Sequence, residues 1–259
     1  VSPGVANLLA VHAAEPLDRV DRLLTGWALD AAVPETRGDE PSAATVHGLH
    51  QLTGRIRVWR AGEAREEAPL QPVRFELPGR GSHRAWTIGH PEAVTLPRRY
   101  PGLRECLNIM HAPRLHIAAT RALAGAIDRG WLDLHRAARW GERLEGKPHD
   151  DDRLNSALRG GDALPPLFAL AEGEKNGIPT IVSAIPTAAP PGGMGAATGV
   201  PLALVLPFIA GGQLQRPGVH PPETILDPGA FFEALAPHCG VTSGEALVVR
   251  TVDPAPTTG

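Results

Sequence analysis

Cysteine occurs only twice in 259 residues, at Cys106 and Cys239. Two thiols cannot build the disulfide framework of a small secreted domain, and they lack the paired spacing of a zinc site. A reducing compartment, the cytoplasm, fits this usage best. Concentrated positive charge is also missing: 25 basic and 28 acidic residues leave a net of −3, and no window gathers Lys and Arg into a stripe that neutralises several phosphates. Nucleic acid is therefore not an expected partner. Long apolar runs are absent too. The most apolar stretch, Ala196 to Ala210, is broken by Gly199, Pro201 and Pro207 and falls short of the roughly 20 residues that cross a bilayer. It reads as a buried helix, and no membrane partner is expected. The chain opens at Val1 without Met, and no charged segment with an apolar core and small-residue cleavage site follows, so its start reads as a processing boundary.

What is present is enough apolar residue for a proper core, at 42% of the chain, together with 29 Gly and 27 Pro. That combination predicts short elements joined by many turns. Ser2-Pro3 opens a helix on which Val5, Leu8, Leu9 and His12 recur at helical spacing. Leu17 to Ala32 reads as extended and Val33 to Ser42 as a loop, with Ser42 capping a short helix through Leu52. The alternation Arg55-Ile56-Arg57-Val58-Trp59-Arg60 predicts a strand with one wet face. Pro72 to Leu77 and His83 to Gly89 continue an antiparallel pattern across the turn Gly79-Arg80-Gly81. "CLNIM" adds a strand, within which Cys106 reads as a small core residue, before Pro113 opens a helix to Ile127. A charged helix from Trp131 to Leu144 leads into Asp150-Asp151-Asp152. Leu167 to Ile185 reads as a hairpin, because Asn176-Gly177 suits the positive φ angles of a tight primed turn. A capped helix in "DPGAFFEALAPHCG", ended by Gly240, and a last strand in "EALVVRTV" complete the pattern. The expected fold is α+β, one domain over residues 1–252 with a mostly antiparallel sheet and helices packed on one face, followed by a frayed tail, 253–259. The opposite sheet face must then be solvated, self-paired or covered by another domain.

Candidate chemistry is sparse. His90 and Glu92 in "GHPEAVTLPR" place an imidazole and a carboxylate on one loop, where they can serve as a proton-transfer pair, or as ordinary polar groups beside a Pro91 turn. Arg98 and Arg99 can clamp a carboxylate, or simply be solvated. "GGMGAATG", Gly192 to Gly199, has the glycine spacing of a dinucleotide loop but is entered through Pro190-Pro191, and the helix that follows carries two prolines. A dinucleotide loop needs a βαβ unit, so no cofactor-binding residue is assigned. The N-terminus of this helix still offers free N–H groups to a substrate carboxylate near Gly193 and Met194. His47 with His50, and His111 with His116, lack a third ligand, so no metal is expected.

Taken in order, "SPGVANLLA", "GRIRVWRAGE", "FELPG", "GHPEAVTLPRRYPG", "EGEKNG", "GAATGVPLA" and "PGVHPPETILDPGAFFEAL" resemble the substrate-side half of saccharopine dehydrogenase-like oxidoreductases. The resemblance implies an α+β domain that closes over a nicotinamide held on a separate Rossmann domain, in cis or in trans, and that commonly forms a homodimer. It implies hydride transfer between NAD or NADP and the amine or imine carbon of an amino-acid-like substrate. It also sets Asn7, on the opening helix, and Thr198 near the cleft. The Gly-rich nucleotide loop of the family is not found, so the chain alone is expected to bind neither NAD nor NADP. Two other readings stand beside this one: a stand-alone, cofactor-independent enzyme working by acid/base chemistry, and a non-catalytic dimerisation module.

Overall fold

A computed structural model describes residues 1–28, 40–145, 158, 164–214 and 216–255. Four expected features lie outside the described residues: the end of the first extended segment, most of the loop over 33–39, the acidic run Asp150 to Asp152, and the last four residues of the tail.

In chain order the elements are α1 (Val5–Ala14), β1 (Arg19–Ala28), α2 (Ala43–His50), β2 (Ile56–Arg60), β3 (Glu63–Glu67), β4 (Pro72–Leu77), β5 (Gly81–Ile88), α3 (Glu92–Thr95), β6 (Glu105–His111), α4 (Arg114–Asp128) and α5 (Leu134–Glu145). Then follow β7 (Leu167–Lys175), β8 (Ile178–Pro186), α6 (Gly193–Ala203), α7 (Val205–Ala210), α8 (Pro228–Leu235), α9 (Gly244–Leu247) and β9 (Val248–Pro254). The nine strands form one mixed sheet, ordered β3-β2-β6-β1-β7-β8-β9, with β4 and β5 attached through β6. Among the described residues only β1 and β6 run parallel, pairing Leu24 with Leu107 and Thr25 with Asn108. The fold is α+β, as the sequence predicts.

Period-two alternation sorts the strands into two cores. Leu23, Cys106, Ala169, Ala171, Val182 and Ala184 face α1 and α8. Leu24, Leu107, Ile109, Phe168, Leu170 and Ile181 face the other way, against Val73, Phe75 and Leu77 of β4 and Ala85 of β5. The sheet therefore covers its second face with its own β4–β5 hairpin, whose tip is tied to β9 where the Gly79 amide donates to Asp253 Oδ2 at 3.1 Å. Helix α1 is buried all round except at His12, as a helix enclosed between a sheet and further helices must be. A third group, Leu52, Leu70, Trp86, Ile88, Met110 and Ile117, joins α4 and the end of α2 to β5 and β6.

Local chemistry explains the boundaries. Ser42 Oγ accepts from the Thr45 amide at 3.1 Å to start α2, and Asp227 Oδ1 accepts from the Ala230 amide at 2.8 Å to start α8. Asn176 and Gly177 hold φ of 52° and 75° between β7 and β8, the primed turn that suits strand twist. Strand β9 runs to Pro254, with Asp253 paired to Ile181.

Two features depart from expectation. Strand β3 has no apolar alternation; ladder pairing with β2 holds it, reinforced by the Arg60–Glu67 ion pair at 2.9 Å. The apolar run expected as a buried helix lies at the surface instead. Ala197 and Pro201 are buried, but Leu202 is 71%, Leu206 63% and Ile209 53% exposed. A helix laid on a surface buries only one stripe, so an apolar sequence leaves its outer stripe uncovered. The run Gly193–Ala210 is long and apolar enough, at 18 residues and mean hydropathy 1.7, to meet the length and composition of a membrane-crossing helix. It breaks at Leu204, between α6 and α7, where Pro207 has no N–H for the carbonyl of Ala203.

Candidate functional site

The parallel β1–β6 pair sets the floor of the site. Because Cys106 faces the helices, so does Asn108 two residues on, and the apolar strand "CLNIM" thereby delivers an amide into the helical core. Asn108 Nδ2 donates to Thr25 Oγ1 at 2.5 Å and to Glu92 Oε2 at 3.0 Å, while its Oδ1 accepts from the Ala93 amide at 3.1 Å. This fixes the first turn of α3 onto the sheet. Glu92 is wholly buried there.

A carboxylate without water must collect donors. Glu92 Oε1 accepts from Ser2 Oγ, and Glu92 Oε2 lies 2.5 Å from His90 Nδ1. Burial works to raise the Glu92 carboxyl, but the hydrogen bond and charge of His90, with the hydrogen bond of Ser2, outweigh it and hold the group below its ordinary value of 4.5. An ionised Glu92 assigns the proton of the imidazole to Nδ1, since a lone pair at that position would face a carboxylate. Nε2 is then the acceptor, and it makes no hydrogen bond among the described residues. The His90 ring packs edge-to-face with that of His47 on α2, with centroids 5.9 Å apart at 76°.

Ser2 completes the cluster without forming a nucleophilic triad. Its Oγ contacts the same ring nitrogen as the carboxylate, at 2.9 Å from Nδ1, and gives its proton to Glu92. A triad serine must instead reach the ring nitrogen opposite the acid. The arrangement can orient an imidazole and leave its Nε2 open to a proton donor or acceptor.

A second polar set lies along the same stretch of α1. Asn7 is 1% exposed. Its Oδ1 accepts from the Gly4 amide at 2.9 Å, and its Nδ2 donates to Thr95 Oγ1 at 3.2 Å and Glu223 Oε2 at 3.0 Å. The amide is fully used, and it is the side-chain partner of a buried carboxylate whose Oε1 has none. Asn7→Ala is expected to cost about 3 kcal/mol, because it strips a buried charged acceptor of its donor. A urea midpoint shift worth less than about 0.5 kcal/mol would remove Asn7 from that role.

The remaining expected residues are spread out. Arg98 is exposed. Arg99 turns away to donate from Nη1 to the Glu223 carbonyl at 2.7 Å and lies 6.0 Å from the Tyr100 ring centre, so the two arginines do not converge on one anion. Gly193 and Met194 are half-buried at the start of α6, and Thr198 is exposed. No hydrogen bond among the described residues joins them to His90 or Glu92. The Gly192–Gly199 stretch follows antiparallel β8 and leads into α7. Among the described residues no βαβ unit surrounds it, the context that a dinucleotide loop needs. Among the described residues no group of three or more His, Cys, Asp or Glu is placed to hold a metal ion.

Sequence reading missed Ser2, Thr25, Asn108 and Glu223. Asn108 carried a signal, as a polar residue inside an apolar strand. Ser2 and Glu223 carried none, since 90 and 131 positions separate them from Glu92.

No family model matches the chain, and no curated protein matches it in sequence. Among solved structures, the apo histidine-tagged saccharopine dehydrogenase (L-Glu forming) from Saccharomyces cerevisiae aligns with a TM-score of 0.56 at 14% identity, over 97% of this chain and 72% of that one. At that identity the likeness concerns architecture, and the chain shares the fold of a saccharopine dehydrogenase.

Proposed function

We propose that this chain is the substrate-binding domain of a saccharopine dehydrogenase-like oxidoreductase, with His90 and Glu92 as its proton-transfer pair. The observation that carries the reading is the fully buried Glu92 carboxylate set 2.5 Å from His90 Nδ1, on a fold shared with a dehydrogenase. Glu92 fixes the tautomer and offsets the charge of the imidazolium, and Nε2 takes or returns a proton when a substrate nitrogen comes within about 3 Å. The substrate class is an amino acid or its imine. Gly193, Met194, Thr198 and Arg98 remain candidate substrate contacts. Among the described residues none forms a dinucleotide cradle, so the NAD or NADP of the complete enzyme is assigned to a Rossmann domain in cis or in trans. Self-association as a homodimer belongs to the same proposal.

Two measurements test it. Long-range proton–nitrogen NMR at pH 8 should show His90 with its proton on Nδ1; a protonated Nε2 ends the assignment. NADH fluorescence titration of this chain alone should give no saturable binding, and saturation at micromolar concentration overturns the division of labour. The second reading, a cofactor-independent acid/base enzyme, draws on the same dyad being complete within one chain. Turnover of an amino or imino acid without any nucleotide would favour it.

A further inference from the structure

Helix α2 has no buried residue along its own length, so core packing does not account for its place. Contacts at its two ends do. At its start, Glu142 Oε1 of α5 accepts from the Ser42 amide at 2.8 Å and from Thr45 Oγ1 at 2.6 Å. Beyond its last turn the Gln51 carbonyl accepts from the Gly89 amide at 2.9 Å, and Leu52 enters the apolar group that holds Ile88. These two contacts grip the residues that lead into His90. The junction is tight, because a Cβ added at Gly89 would lie 2.7 Å from Ile56 Cγ2 and 3.5 Å from the Gln51 carbonyl oxygen.

What α2 brings to this junction is the His47 ring. His47 and Gln51 stand one helical turn apart, where side chains meet, and Gln51 Nε2 lies 2.8 Å from His47 Nε2. An amide nitrogen donates and does not accept, so His47 Nε2 is the acceptor and the ring is held from its own helix. From there it packs edge-to-face with the His90 ring at 5.9 Å and 76°, within the spacing that aromatic pairs favour. Burial, followed by the neighbouring His90 and His50, lowers the pKa of His47, so near neutral pH it sets no like charge beside the dyad.

His90 needs such a neighbour. Ser2 Oγ and Glu92 Oε2 both meet it at Nδ1, at 2.9 and 2.5 Å. A ring held at one nitrogen can still swing the other, whereas proton transfer needs the reacting atom fixed within about 0.5 Å. The second restraint has to press on the ring itself, and among the described residues His47 is the aromatic ring packed against it.

We propose that His47, oriented by Gln51, is a positioning residue for His90: its ring packs against the imidazole so that Nε2 keeps one direction while Glu92 holds Nδ1. This role rests on the reading of His90 as the proton-transfer group. It gives α2 a function in presenting one rigid side chain, in place of filling the core.

Ring-carbon NMR relaxation of the histidines tests it. His90 should give an order parameter of about 0.85 in the wild type, that of a rigid group, and one below about 0.6 in His47→Ala. His47→Phe keeps a ring against His90 and should restore most of the rigidity. Gln51→Leu leaves the ring but removes its donor, and should fall between. Because α2 buries none of its residues, all three variants should fold, and the ring of Trp86 in the neighbouring apolar group should keep its order parameter. An unchanged His90 in His47→Ala, no rescue by His47→Phe, or a loosening of Trp86 alongside His90 overturns the positioning role; a Gln51→Leu variant as rigid as the wild type overturns the part given to Gln51. The wild-type tautomer separates this role from the proton-transfer reading. A proton on Nε2 together with His47-dependent rigidity would sink that reading alone, and a proton on Nδ1 with rigidity indifferent to His47 would sink the positioning role alone.

Discussion

Phe168→Ala is expected to destabilise the chain by about 3–5 kcal/mol, the range for removing a fully enclosed aromatic side chain. Phe168 has no solvent exposure, and its ring stacks on Phe75 of β4 with centroids 5.5 Å apart at 26°. It is one of the contacts that hold the β4–β5 hairpin over the sheet, beside the other apolar residues of that face. Hydrogen exchange should therefore accelerate at Val73 to Leu77 and at Ala85 more than in α1, which packs on the opposite face. Gly26 supplies an internal control. A Cβ added there would lie 2.2 Å from the Phe168 ring, so Gly26→Ala alone overpacks the site and should destabilise by about 1–3 kcal/mol. Combined with Phe168→Ala, the same methyl enters the vacated space and its cost should largely vanish, a coupling of at least about 1 kcal/mol. Strict additivity of the two changes would show that the ring does not occupy this position.

The second large effect belongs to Glu92. Glu92→Gln keeps the shape of the side chain but turns an NH2 group toward donors at Ser2, His90 and Asn108, and breaking a buried, hydrogen-bonded charge should cost about 3–5 kcal/mol. The sign of its pH dependence follows from the lowered carboxyl. A group whose folded pKa lies below its unfolded value contributes stability that is complete above the unfolded value, near 4.5, and disappears as pH falls through the folded one. The stability gap between the wild type and Glu92→Gln should thus stay level down to about pH 5.5 and close progressively below about pH 4.5. Urea denaturation at several pH values checks this. A gap that widens on acidification would mean that Glu92 is held protonated in the folded chain, and the tautomer assigned to His90 would fall with it.

The two predictions bear on opposite faces of one sheet, and they differ in how far the sequence announced them. The alternation in "RIRVWR" and "PVRFEL", the Asn-Gly hairpin and the Ser42 and Asp227 caps are local signals, each acting within a few residues. The structure follows them closely. Strand β3 follows no such signal, because a charged strand owes its place to the ladder of its neighbour. The exposure of α6 and α7 follows no local signal for a related reason: an apolar composition states what a helix prefers to touch, and only packing decides whether anything is there.

The site divides along the same line. His90 and Glu92 stand two residues apart and were legible as a pair. What makes them a dyad is the complete burial of Glu92 and the donors Ser2 and Asn108, which arrive from the opening helix segment and from a strand floor. The family resemblance sets Asn7 near a cleft, and the structure commits its amide to Glu223, 216 residues away.

By itself, then, the sequence determined most of the elements, their caps and turns, the α+β class and the two titratable side chains at the centre of the site, because each depends on periodicity or chemistry within a single stretch of chain. The tertiary structure alone decided the parallel β1–β6 pair, the hairpin folded over the second face and the ionised state of Glu92. Those depend on which distant segments exclude water from one another, and charge and hydrogen bonding take their strength from that exclusion.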